Sequence, residues 1–106
     1  METSVVKYIN ETFDIGIPTN PTQEQLEILL AQKINYLILH DFSLLVHILY
    51  RIDVSETKLK SLLKENAKAN AGRIIASLII ERQLEKLRSR QQNSRDSTNI
   101  DDNESW

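Results

Sequence analysis

The hydrophobic pattern of the chain centres on Phe42–Ile52, FSLLVHILYRI. At 100° per residue, Phe42, Leu44, Leu45, Val46, Ile48, Leu49, Tyr50 and Ile52 cover roughly 240° of a helix circumference. Ser43, His47 and Arg51 fill the remaining sector. A helix that is apolar over most of its circumference is expected to be enclosed by other elements. This stretch therefore reads as the central helix of a bundle, with its polar stripe turned to water or a partner. It shows no two-residue alternation, which argues against a strand. The apolar run from Leu37 to Ile52 is interrupted by His40, Asp41 and His47. It also falls short of the ~20 residues that cross a bilayer, so no membrane partner is expected.

Four further helices follow from the same periodicity. Residues 3–15 place Val5, Val6, Ile9 and Phe13 on one face, with Thr3 or Ser4 as cap and Gly16 as the left-handed terminator. Asn20-Pro21 reads as the start of a second helix, because proline loses nothing at the first helical position. Leu26, Leu29, Leu30, Ile34 and Leu37 form its buried face; Ile28 and Leu39 point away, toward the first helix or a partner. A break is expected at His40-Asp41, with Asp41 capping the central helix. Asp53 with Glu56 has the form of a capping box, and Ser55 is an equally good cap for a fourth helix ending near Glu65. That helix is expected to bury Val54, Leu59, Leu62 and Leu63. Residues 66–70 read as a turn, with Asn70 capping a last helix over 71–90.

The last helix changes face along its length. Ile74, Ile75, Leu78 and Ile79 lie together, while Ala76, Ile80, Leu84 and Leu87 form a second seam roughly opposite. Mixed charges (Glu81, Arg82, Glu85, Lys86, Arg88) flank it, as they flank helix–helix seams. Either the first helix covers the second seam, or a second copy of the chain does so across a two-fold axis. From Gln91 the sequence is polar and almost without aliphatics, which predicts a disordered tail.

Composition narrows the function. The chain of 106 residues has no Cys, two Gly and two Pro. This favours helices over β-rich folds and removes disulfides, thiolate ligands and thiol nucleophiles. The amino-terminal METSVVKYINETF has neither a basic segment nor a continuous apolar one, so no secretory signal is expected and a cytoplasmic setting is. The net charge of −2 hides an uneven distribution: −4 over residues 1–53, +5 over 54–90 and −3 over 91–106. The basic segment is where a polyanion would be attracted.

Candidate chemistry is sparse. His40 and His47 are too far apart for the i, i+4 pair with which helical imidazoles share a metal, and no third ligand stands at a telling spacing. No metal or cofactor is expected. There is no glycine-rich phosphate loop and no nucleophile elbow. Glu81 and Glu85 have the spacing of an acid/base pair, but the interleaved Arg82, Lys86 and Arg88 favour surface ion pairing. Residues 44–64 can also be read as helix, short turn, helix, with Ser55, Thr57, Lys58 and Lys64 presented to a DNA groove. The turn lacks the usual Gly and no second basic arm is visible. Four lysines on a solvated face (Lys58, Lys60, Lys64, Lys68) are the plainer explanation.

The sequence thus predicts an all-α bundle of about five helices over residues 1–90, followed by a disordered acidic tail over 91–106. The expected function is a non-enzymatic protein–protein interaction module. Its partner is another protein or a second copy of itself, met through Ala76, Ile80, Leu84 and Leu87. A small helix-turn-helix-like DNA-binding regulator is the alternative, and a tail that folds back on the basic helices to regulate either activity is a third, lesser expectation.

Overall fold

The computed structural model describes residues 2–65 and 70–96, with side chains described as far as Arg90. Among the described residues there are five helices and no strand: α1 (Thr3–Phe13), α2 (Gln23–His40), α3 (Phe42–Ile52), α4 (Glu56–Glu65) and α5 (Ala71–Asp96). The all-α architecture is the one expected. The last helix runs six residues past its expected end at 90. Of the tail expected to be disordered over 91–106, residues 97–106 lie outside the described residues, as do residues 66–69 of the expected turn, Lys68 among them.

The helix boundaries follow from local chemistry, with corrections at both ends of α1 and at the start of α2. At the start of α1, Glu2 occupies the cap position and makes no side-chain capping bond, so neither Thr3 nor Ser4 caps it. The same helix ends at Asp14 rather than Gly16: Asp14 takes the left-handed conformation (φ 54°) and its N–H donates to the Asn10 carbonyl. Aspartate tolerates this region better than most residues because its short polar side chain can bond locally. The Asn10 side chain then ties down the following loop, donating to the Ile17 carbonyl (3.1 Å) and accepting from the Ile17 N–H (2.8 Å).

The second helix starts at Thr22, not at Asn20-Pro21. Thr22 and Gln25 form a reciprocal capping box: the Gln25 N–H donates to Thr22 Oγ1 at 3.0 Å, and the Thr22 N–H donates to Gln25 Oε1 at 2.9 Å. Pro21 precedes the cap and is buried. The expected break at Asp41 is present, and its carboxylate accepts from the Leu44 N–H at 3.2 Å.

A further correction concerns the centre of the bundle. Leu45, Ile48 and Ile52 are the buried residues of α3, whereas Phe42, Leu44, Val46 and Tyr50 are exposed. The enclosed helix is α5, which packs most extensively on α2 and also meets α1, α3 and α4. Its segment from Ile75 to Ile80 is apolar around nearly the whole circumference, and Ile75, Ala76, Leu78, Ile79 and Ile80 are all buried. Enclosure was the right physical expectation, but it belongs to this segment.

Small residues let α2 and α5 approach closely. A Cβ added at Gly72 would stand 2.6 Å from Asn35 Oδ1 and 2.7 Å from the Ala31 carbonyl oxygen. Asn35 donates to Asn70 Oδ1 at 3.0 Å, and Asn70 Oδ1 also accepts from the Arg73 N–H, capping α5 as expected. Arg73 pairs with Glu27 of α2 at 2.7 Å. Leu26, Leu30, Ala31, Ile34 and Leu37 fill the α2 side of the same core.

Candidate functional site

The expected interface on α5 is occupied inside the chain. Ala76 is 0% exposed and Ile80 1% exposed, and both belong to the cluster that contains Val5, Val6, Ile9 and Phe13 of α1. Ala76 and Ile80 are therefore buried within the chain, where α5 packs on α1, α2 and α3, and leave no surface there for a second copy. Leu84 and Leu87 are half-buried against the same core.

The residues expected to read DNA are divided in their roles. Ser55 Oγ accepts from the Lys58 N–H at 3.1 Å and so caps α4. Lys58 Nζ pairs with Glu81 of α5 at 2.9 Å, and this hydrogen bond and charge raise the lysine pKa above its ordinary value. Thr57 and Lys64 are exposed. Glu85 lies 3.4 Å from Arg82, so both Glu81 and Glu85 take part in ion pairs. The His40 ring stacks at 4.5 Å on Tyr36, His47 is exposed, and no group of three or more His, Asp or Glu among the described residues is placed to hold a metal.

The most distinctive surface lies between α3 and α4. It arises because the connection turns the chain away from α3 instead of folding α4 back upon it. Asp53 adopts φ 67° and donates its N–H to the Leu49 and Tyr50 carbonyls, which ends α3. It is thus a terminator, while the cap of α4 is Ser55. Arg82 of α5 grips this turn, donating from Nε to the Asp53 carbonyl and from Nη2 to its carboxylate, both at 3.1 Å. With the Lys58–Glu81 pair, this holds the start of α4 to α5. The helices α3 and α4 each rest on α5 and scarcely meet one another.

The result is an open apolar groove of about 380 Å³. Its floor is Leu45 and Ile75, which are buried. Along one wall α3 presents Phe42, Val46, Leu49 and Tyr50; along the other lie Val54, Leu59 and Leu63. Nothing in α4 is fully buried, so Leu59, Leu62 and Leu63, with Val54 before the helix, are half-buried rather than core as expected. Glu56 and Lys60 sit at the rim, paired with each other at 3.0 Å. Tyr50 is 86% exposed and Phe42 58% exposed. Phe42, Val46 and Tyr50 succeed one another at four-residue intervals, so they form a continuous stripe on one face of α3. That interval is visible in the sequence, but the apolar residues around it mask it as part of an enclosed helix.

No helix among the described residues is long and apolar enough to cross a membrane. No family model matches the chain, and no curated protein or solved structure matches it.

Proposed function

We propose that the protein is a non-enzymatic interaction module that self-associates through the α3–α4 groove. The observation that carries this reading is the stripe Phe42, Val46 and Tyr50, exposed beside an apolar groove that continues onto α4. Monomeric soluble proteins rarely leave contiguous apolar surfaces of this kind bare. The occupant is a second copy, because the same face carries both projection and recess. A two-fold axis through Val46 sets two α3 helices antiparallel, with Phe42 of each opposite Tyr50 of the other. The rim pair Glu56–Lys60 is already neutralised within the chain, so two copies approach without like-charge repulsion there.

The chain has no Cys, which makes the test direct. Val46→Cys is expected to give a covalent dimer under mild oxidation at low protein concentration, because the two thiols meet at the axis. Light scattering on the unmodified chain over a dilution series should show a dimer. A monomer at every concentration, with no cross-link at position 46, would overturn the proposal.

A further inference from the structure

Nothing fully buried holds α4 in place. Leu59, Leu62 and Leu63 are half-buried and the rest of the helix is exposed. Each of the other four helices buries at least three side chains. The points between which α4 hangs are nonetheless fixed. Before it, Asp53 is bonded into the end of α3 through its own N–H and gripped from α5 by Arg82. After it, Asn70 is bonded to Asn35 of α2 and caps α5. The helix is a strap between two anchors, and its stability depends on what keeps it down on α5.

Two features make that attachment. One is apolar: Leu59 and Leu63 line the groove together with Ile75 of α5. The other is the Lys58–Glu81 pair at 2.9 Å, in which both side chains are about half exposed. Among the described residues it is the ion pair that joins α4 to another helix; the second pair of α4, Glu56–Lys60, lies within the helix itself. Lys58 stands in the first turn of α4, just beyond the left-handed Asp53 (φ 67°) at which the chain changes direction. An element with few buried contacts and exposed polar ties belongs to the part of a fold that opens first.

We propose that α4 is a strap latched by Lys58 and Glu81, which lifts from α5 as a unit while the core formed by α1, α2, α3 and α5 stays folded. Lifting takes away one wall of the groove and uncovers Ile75 on its floor. The latched state offers a walled recess and the lifted state a bare apolar surface, so the latch sets what the groove can hold. An exposed ion pair suits this role because it is weak and is screened by salt, whereas fully buried leucines would weld the helix to the core. The latch goes beyond the self-association reading and does not rest on it.

The test is amide hydrogen exchange of the full chain, read by mass spectrometry at micromolar protein in about 0.01 M and about 1 M sodium chloride, between which the Debye length falls from ~30 to ~3 Å. Exchange throughout residues 56–65 should be at least threefold faster at high salt, with α2 unchanged. Lys58→Gln should give at least that acceleration at low salt and remove the response to salt. Glu81→Gln should do the same, and the two together should do no more than either alone. Lys60→Gln is the control: it removes the same charge from the same helix, but its partner Glu56 lies within α4, so exchange should change less than twofold. The same series in a Phe42→Ser, Tyr50→Ser background should give the same ratios, which separates the strap from self-association. Exchange in α4 that ignores salt would overturn the proposal. So would acceleration in Lys60→Gln equal to that in Lys58→Gln, because any lost charge would then suffice. Acceleration of α2 together with α4 would overturn it as well, because the whole chain would then open at once.

Discussion

Two pairs of helices in this molecule handle apolar surface in opposite ways. Between α2 and α5, small residues at the crossing bring the backbones together: Gly72 faces Ala31 and Asn35 with no room for a Cβ. Large aliphatics above the crossing are then fully buried, Ile34 and Ile79 among them. Between α3 and α4 there is no such approach. Bulky residues (Phe42, Leu49, Tyr50, Leu59, Leu63) line both walls, and the helices are held apart by their separate attachments to α5. The first pair uses its apolar residues to fold the chain. The second leaves them facing outward, where they can serve association. Substitutions in the two regions should therefore fail in different ways.

The largest effects belong to the α2–α5 pair. Ile34→Ala or Ile79→Ala removes a fully buried side chain from a site that cannot collapse readily, at a cost of about 2–5 kcal/mol. Such a loss is a large share of the total stability of a domain this size. Urea unfolding followed by circular dichroism should show a clearly lower midpoint in either variant, and an unchanged midpoint would break the comparison at its stronger side. Gly72→Ala should come next. The added methyl meets a backbone carbonyl and not merely a movable side chain, so relief requires the helices to separate. Overpacking of this kind costs roughly 1–3 kcal/mol. That outweighs the gain of ~1 kcal/mol that alanine brings to an isolated helix.

This contrast also explains which parts of the structure were legible in the sequence. Five helices, the break at Asp41 and the Asn70 cap all follow from local signals: periodicity and a capping side chain within three residues. What the sequence left ambiguous was which apolar helix would be enclosed. Both Phe42–Ile52 and the segment from Ile74 to Ile80 satisfy the circumference criterion, and a chain of this length has too few elements to surround both. The deciding feature is size. Gly72 and Ala76 allow neighbours to close on α5, whereas Phe42 and Tyr50 keep them off α3. The corrections at Asp14 and Thr22 have a simpler origin. Glycine and proline are strong punctuation, but Asp in the left-handed region and the Thr-x-x-Gln capping box act closer to the helix ends.

In the α3–α4 region the expected effect moves from folding to assembly. Phe42→Ser with Tyr50→Ser removes exposed aromatics, so monomer stability should change by less than about 1 kcal/mol, the usual scale for surface sites. The proposed dimer should nonetheless be lost, since buried aromatic anchors dominate association energy. Sedimentation equilibrium and urea unfolding on the same samples check both halves. Lost stability with unchanged mass would reverse the assignment of the two regions.

The smallest effect sharpens the comparison most finely, because it applies one chemical change to both regions. Thr22 caps α2 and Ser55 caps α4, each accepting from a backbone N–H three residues on. Replacing either by Ala costs about 1 kcal/mol at the helix end. The consequence depends on what the helix carries. The helix behind Thr22 buries Leu26, Leu30, Ala31, Ile34 and Leu37, so its end cannot fray without exposing the core. Thr22→Ala should therefore lower the global unfolding midpoint by the full amount. The helix behind Ser55 buries nothing completely and rests on half-buried leucines and exposed ion pairs. Ser55→Ala should instead act locally. Amide exchange over residues 56–65 should accelerate roughly fivefold, the equivalent of about 1 kcal/mol in a local opening equilibrium. Exchange in α2 and the midpoint of global unfolding should stay unchanged. A dimer that seats a second copy against α4 predicts one thing more: raising the protein concentration should restore protection to residues 56–65 in Ser55→Ala, and have no such effect on α2 in Thr22→Ala.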